Sequence, residues 1–454
     1  MEHPTLKKAW QSNGLCKRFS SLFSSIFIED LSVFTGFTHR KSAITGEIFV
    51  NSCISMAMSE GWGGSLNQHC GVLNEEFKVL VKEQSLNERF NESSETMMRH
   101  LFNLVLQSHL RLENPMAMLE QFEEVYIEDS TNFELPAVLK KVFKGSGGGA
   151  SEAGLKIDAL YGLRWGTMDV LFHGSAGSDN WQGVPVMKRK SLLLRDLGYF
   201  KIEDFETVAT NGSFFLSRIK YGVKTYADAE GKEEINLLRR LDLMKENETK
   251  SFNVYIGEKK RLKVRLVLQK APKSVGDLKR KKLRTDKQSK RKNLSEERLA
   301  FCDANCYITN IDSDMLSDDK IITLYGLRWI IEILFKAWKS ISNLEEKINK
   351  MNKHRFMCML YAHMLKTLLD TKLVQYFKIE FWNLFGFKIS ELKAFSVLRT
   401  FKKQLWDAMR SGKDSTIDLV LEQIAQTILA LAEKRKRGKK ESHNDFYIFV
   451  NSQT

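Results

Sequence analysis

Apolar positions along the chain recur with two different periods, and the chain changes character where one gives way to the other. Residues 1–115 read as helical. NEEFKVLVKEQS and SSETMMRHLFNLVLQSHLRL carry apolar residues at the helical period, the second opening on a serine placed to cap it. From about residue 120 the runs shorten. EEVYIEDST predicts a short strand ending in carboxylate, and LKIDALYGLRWG with MDVLFHGSAGSD predicts a hairpin joined at a glycine turn. WQGVPVMKRK is a connecting segment or a helix, and SLLLRDLGYF is a continuous apolar strand running into an aspartate. KIEDFETVATNG predicts a helix closed by Asn-Gly, and SFFLSRIKYGV a further strand.

The resulting order, strand, strand, strand, helix, strand, helix, strand, is that of a ribonuclease-H-like layer of mixed sheet and helices. Residues 226–300 interrupt it with the strand-like runs SFNVYIGE and LKVRLVLQ, followed by the charge-rich KRKKLRTDKQSKRKN. That charged run reads as a solvated, partly disordered loop, or as a segment that follows a phosphate backbone. NCYITNID then resumes a strand, and Ser317 before Asp318 and Asp319 is placed to cap the next helix. Beyond residue 340 the pattern is helical again, with Met357, Met359 and Met364 reading as core filling.

The stretch LYGLRWIIEILFKAWKS, residues 324–340, carries the densest pattern. As one helix it brings Tyr325, Arg328, Glu332 and Lys339 within an arc of roughly 60°. Leu327, Ile330, Ile331, Leu334 and Trp338 cover the opposite side, so a buried back supports a polar front. Ordinary i,i+4 ion pairing of Arg328, Glu332 and Lys336 would account for part of that stripe.

Composition narrows the partners. A net charge of +14 on 454 residues attracts polyanions, duplex DNA foremost. No stretch has the apolar length of a membrane span, and the first residues lack the apolar block of a signal peptide, which points to the cytoplasm rather than a membrane. Six irregularly spaced cysteines fit a reducing compartment and give no zinc-site spacing.

Three acids change the picture further. Two-metal phosphoryl transfer needs carboxylates converging on divalent ions roughly 3.5–4 Å apart. In a ribonuclease-H-like layer they come from the first strand, the end of the fourth and a late helix. Asp129, Asp196 and Glu332 stand at those places. Singly, an aspartate at a strand end is more often a turn former; three at the expected positions on so basic a chain point to chemistry.

EDSTNFELP, KGSGGGASEAGLKI, LLRDLGYF, FFLSRIK, YITNID and YGLRWIIEILFKAWKS, in this order, resemble the DDE transposases of bacterial insertion sequences. The resemblance is to the fourth insertion-sequence family, with the fifth-transposon type, and runs from about Val125 to Ser340. The last segment fits that family's Tyr-x2-Arg-x3-Glu-x6-Lys signature at Tyr325, Arg328, Glu332 and Lys339. The resemblance implies that Asp129, Asp196 and Glu332 hold two Mg²⁺ ions, with Mn²⁺ able to substitute. It also implies that Tyr325, Arg328 and Lys339 grip phosphates of double-stranded DNA, with Arg218 as a further contact. Cleavage at the terminal inverted repeats, a hairpin intermediate and strand transfer into target DNA would follow, with two copies in the synaptic complex. One departure bears on the hairpin: relatives place a tryptophan before the strand NCYITN, and here the neighbourhood runs from Phe301 to Asn305, leaving Phe301 or Tyr307 to stack on an extruded base.

The expected organisation is α/β. A ribonuclease-H-like catalytic core (116–225 and 301–345) carries a β-rich basic insertion (226–300). An N-terminal helical, DNA-binding domain (1–115) and a C-terminal helical region suited to dimerisation (346–454) flank it. The alternatives are a non-catalytic DNA-binding protein on a transposase scaffold, a nuclease of the same fold without strand transfer, and a polyanion-binding structural protein.

Overall fold

A computed structural model describes residues 21–432 except 22, 59–63, 111–116, 147–151, 166, 176–182, 290–293, 333–334, 336–337, 339–350 and 387. Lys339, the middle of the glycine-rich loop and the basic ends of the chain lie outside the described residues.

Nine strands form one mixed sheet: β1 (Val125–Leu135), β2 (Ala153–Gly162), β3 (Thr167–Gly174), β4 (Leu192–Arg195), β5 (Phe214–Arg218), β6 (Thr225–Tyr226), β7 (Thr249–Ile256), β8 (Leu262–Lys270) and β9 (Ala304–Thr309). Their spatial order is β3-β2-β1-β4-β5-β9-β8-β7-β6. The first three are antiparallel, while β4 and β5 join parallel to β1. Strands β6–β8, inserted in sequence before β9, continue the same sheet in space, because β9 pairs antiparallel with both β5 and β8. The strands follow one another in sequence as predicted, but the helix expected between the third and fourth is not found among the described residues, where 183–190 form an irregular connection. β1 is longer than expected: it does not end at the carboxylate but runs to Leu135, paired along β2, so Asp129 sits in mid-strand.

Helices flank both faces. N-terminal to the sheet are α1 (Ser25–Phe34), α2 (Gly46–Met58), α3 (Leu66–Phe77), α4 (Glu83–Arg89) and α5 (Glu92–Leu110). Within or after it come α6 (Ile202–Thr210), α7 (Leu237–Asp242), α8 (Lys273–Ser289), α9 (Glu296–Ala300), α10 (Asp318–Gly326), α11 (Lys353–Phe385), α12 (Glu391–Ser411) and α13 (Asp414–Leu431). The 33-residue α11 is buried along most of its length and on all sides, as the central helix of a bundle must be. α2 and α5 pack on it, so helices from both ends of the chain share one apolar core with one sheet face. Met357, Met359 and Met364 lie in that core.

Four local expectations are corrected. NEEFKVLVKEQS is not one helix: α3 stops where Lys78 takes a left-handed φ of 58°, its N–H and that of Val79 closing on the last turn. The cap of α5 is Asn91 rather than a serine, since the Asn91 carboxamide accepts from the Ser94 N–H while Ser94 Oγ accepts from the Asn91 N–H. Ser317 occupies a cap position without a capping hydrogen bond. The charged run is helical, not a loop, through Ser289: its Lys, Arg, Leu and Gln are good helix formers. Lys279 and Arg280 pin that helix to Asn305 and Asp303 beside β9. WQGVPVMKRK, from 183 onward, is an irregular connection, and α6 does end at Asn211-Gly212, with Gly212 at φ 71°.

Candidate active site

Alternation along β1 and β4 decides where the acids point. Val125 and Ile127 face the helical core, as do Leu192 and Leu194 on β4. Side chains repeat every second residue along a strand, so Asp129 and Asp196 emerge on that same face. The parallel register pairs Glu128 with Arg195, which sets the two aspartates side by side one residue further on. Asp196 leaves the strand there, its carbonyl accepting from the Tyr199 N–H in a short turn.

Glu332 comes from the opposite side on a helix that is not continuous. α10 ends at Gly326, Leu327 and Arg328 form a turn, and helix resumes at residue 329. The N–H groups of Leu327 and Arg328 bond three residues back, to Leu324 and Tyr325, which tightens the backbone and rotates the next helical turn about the axis. The single polar stripe expected over 324–340 is therefore corrected. Tyr325 is 7% exposed, packed on Tyr307 with ring centroids 5.1 Å apart and with the Arg328 guanidinium over its ring. Of the expected apolar back, Leu327, Ile331 and Trp338 are buried, Ile330 is half-buried and Leu334 lies outside the described residues; Phe335 is buried beside them, and Trp338 meets Phe102 of α5.

The break leaves Arg328 pointing among the acids. Its Nη1 lies 3.1 Å from Asp129 Oδ2 and its Nε 3.8 Å from Asp196 Oδ1, and Nη2 donates to Glu332 Oε1. One guanidinium thus gathers all three predicted carboxylates. Burial pushes the Asp129 carboxyl up to about 6; Arg328 and the Ser130 N–H, 2.8 Å from Oδ1, oppose that rise, and the other two acids add to it. Burial alone would lower the Arg328 pKa, but Tyr325 and the three acids carry it above its ordinary value.

The donor set is chemically that of a hard divalent cation: carboxylate oxygens and nothing softer. A positive group already stands between them. Among the described residues no three acidic, histidine or cysteine side chains are near enough to hold one ion as they stand, because they are spread around Arg328.

Arg218, the last residue of β5, is in register with Tyr307 and forms no ion pair among the described residues. Phe301 sits on a turn with its ring 5.6 Å from Tyr221 and is only partly buried, whereas Tyr307 is 8% exposed. Reading the sequence missed a second polar layer on the reverse of the sheet, where Glu128, Arg195 and Asp204 meet. The signal was present: both Glu128 and Arg195 are charged residues inside apolar runs, each next to an aspartate.

A profile of the family described as the transposase DDE domain matches residues 120–365, over half of the chain and all of the sheet. The chain is 29% identical to the transposase for insertion sequence element IS1151 of Clostridium perfringens, over 94% of each chain. It is 27% identical to the transposase for element IS231F of Bacillus thuringiensis subsp. israelensis, over 86% of each. With the IS231E transposase of B. thuringiensis subsp. finitimus the identity is 25%, over 92% of this chain and 90% of the relative. The mixed sheet, with acids on adjacent strands and a late helix, agrees with the ribonuclease-H-like fold and divalent-metal dependence that this family implies; the chain belongs to the DDE transposase family.

Proposed function

We propose that this transposase cuts DNA at the terminal inverted repeats of an insertion sequence and joins the freed ends to a target duplex. Asp129, Asp196 and Glu332 would be its catalytic carboxylates. The convergence of those acids on Arg328 is the observation that carries the reading. Nothing in packing requires three carboxylates at one point, and their mutual repulsion is tolerated only with a cation between them.

The same acids would hold two Mg²⁺ ions, or Mn²⁺ in their place. When bound, the metal supplies Lewis-acid polarisation of a phosphodiester and a nucleophilic oxygen at neutral pH. The chain's own contribution is placement and charge. Burial keeps Asp129 ready to release a proton when a cation arrives. Arg328 offers a planar fork of donors suited to a phosphate. The Tyr325 hydroxyl and Arg218, which forms no ion pair among the described residues, would add donors from neighbouring elements, and Lys339 is carried over from the family signature. Phe301, the more accessible of the two candidate rings, would stack on an extruded base during a hairpin step. DNA at both stages and a pair of copies in the cytoplasm complete the reading, which the net charge of +14 supports.

The test is incubation of the full chain with a labelled inverted-repeat duplex and a supercoiled plasmid in Mg²⁺. Cleavage at the element end together with insertion into the plasmid is expected. Cleavage without joining would reduce the protein to a nuclease, and binding without cleavage to a DNA-binding scaffold.

A further inference from the structure

On the face of the sheet turned away from the acids, Glu128 and Arg195 occupy the paired positions immediately before Asp129 and Asp196. Arg195 Nε lies 2.5 Å from Glu128 Oε2, Nη1 lies 2.5 Å from Asp204 Oδ2 at the start of α6, and Nη2 donates to the Gly183 carbonyl at 2.9 Å. The Glu128 and Arg195 side chains are each 1% exposed. Leu160, Leu193 and Phe215 of the second core cluster line that face, and an aliphatic pair would fit among them; the buried Asp158, which accepts from the Tyr199 hydroxyl, lies alongside and acts on Glu128 by its charge.

A buried ion pair is a weak source of stability, because desolvation offsets most of its Coulomb attraction and well-packed apolar residues do as well or better. What it supplies that Leu against Met would not is direction. An aliphatic pair could slide; the guanidinium is bonded on three sides and fixes β4 against β1 and α6 together. The fixed point is one residue from where Asp196 leaves the strand and one residue from Asp129. From this we infer that Glu128 and Arg195, with Asp204 behind them, are positioning residues that set the separation of Asp129 and Asp196 for metal binding. The inference rests on the reading of those aspartates as metal ligands.

Residues that orient metal ligands from behind typically change metal affinity ~10- to 100-fold when removed. The experiment titrates Mn²⁺ calorimetrically into the full chain bound to its inverted-repeat duplex, alongside melting temperature and metal-free DNA affinity. The variants are Glu128→Leu with Arg195→Met together, Asp204→Asn alone, and the conservative Glu128→Gln. The paired variant should keep its fold and DNA affinity yet bind Mn²⁺ ~10-fold or more weakly, with Glu128→Gln intermediate. Asp204→Asn, which leaves the central pair intact, keeps the inference testable should the paired variant not fold, and a smaller loss of Mn²⁺ affinity is expected there. Unchanged Mn²⁺ affinity in a folded variant would overturn the positioning role and leave a structural pair. Asp129→Asn is the control: if it binds Mn²⁺ like wild type, the assignment of the metal ligands fails instead.

Discussion

Arg328 Nη1 and Asp129 Oδ2 stand 3.1 Å apart although 199 residues separate them in the chain. Both side chains are largely withdrawn from solvent, at 13% and 14% exposed, and the same guanidinium reaches Asp196 and Glu332. One guanidinium therefore joins three acids from distant parts of the chain, and the consequences can be measured.

Replacing any one acid by its carboxamide removes charge with little change in shape. Asp129→Asn, Asp196→Asn and Glu332→Gln should each lower Mg²⁺-dependent cleavage of an inverted-repeat duplex by ~10³-fold or more, since such groups act in the transition state. Gel-shift affinity for the same duplex should stay within a few-fold. Wild-type cleavage by one variant would remove that residue from the catalytic set.

Arg328→Ala leaves three neighbouring carboxylates without a counter-charge. Losing one partner of a largely buried pair costs on the order of 3 kcal/mol, so the metal-free protein should melt at a lower temperature. Mg²⁺ should raise the melting temperature of this variant more than that of wild type, because the ion meets no guanidinium in the space between the acids. Calorimetric scans with and without Mg²⁺ decide it; an equal rise in both proteins would mean that Arg328 and the ion do not compete.

The Asp129 carboxyl, raised by burial to about 6 from an ordinary 3.8, gives a pH dependence with two opposite signs. Folding favours its protonated form. Its contribution to stability is therefore complete below 3.8 and lost as pH rises through about 6. Metal binding requires the carboxylate, so the Mn²⁺ concentration for half-saturation should rise ~tenfold per pH unit below that point, one proton being displaced per ion bound. Asp129→Asn should flatten that part of the metal-free stability profile, and proton uptake or release by calorimetry in two buffers checks the first half.

α8 presents Lys281, Lys282 and Arg284 to solvent, without ion-pair partners among the described residues. If the helix lies along DNA, changing all three to alanine should lower the steepness of the salt dependence of binding by about one unit per lost phosphate contact. Affinity measured from low to moderate salt gives the slope directly. No change in slope would make the helix a solvated face and nothing more.

Local pattern was enough for much of the architecture. The apolar run of Leu192–Arg195, the β2–β3 hairpin and the Asn211-Gly212 stop are each decided by residues close together in sequence. The identities of Asp129, Asp196 and Glu332 as candidates came the same way, as acids at the ends or edges of strongly apolar segments. α8 is legible too, since Lys, Arg, Leu and Gln favour helix, although a run of like charge equally reads as a solvated loop.

Other features were not available from the chain alone. The turn at Leu327 and Arg328, which breaks the helix before Glu332, stands where Tyr325 packs on Tyr307 of β9, a contact between segments far apart in sequence. Helical periodicity cannot carry this information, because bonding three or four residues back differs little in local energy and tertiary contacts choose between them. Nor does any local rule pair Glu128 with Arg195, or carry the sheet onward from β9 to β8; strand register is a property of two segments at once. The sequence by itself determined which elements form and which acids are candidates. Only the tertiary structure decided that those acids meet, and that an arginine stands where they do, because long-range register and burial fix distances that no single segment specifies.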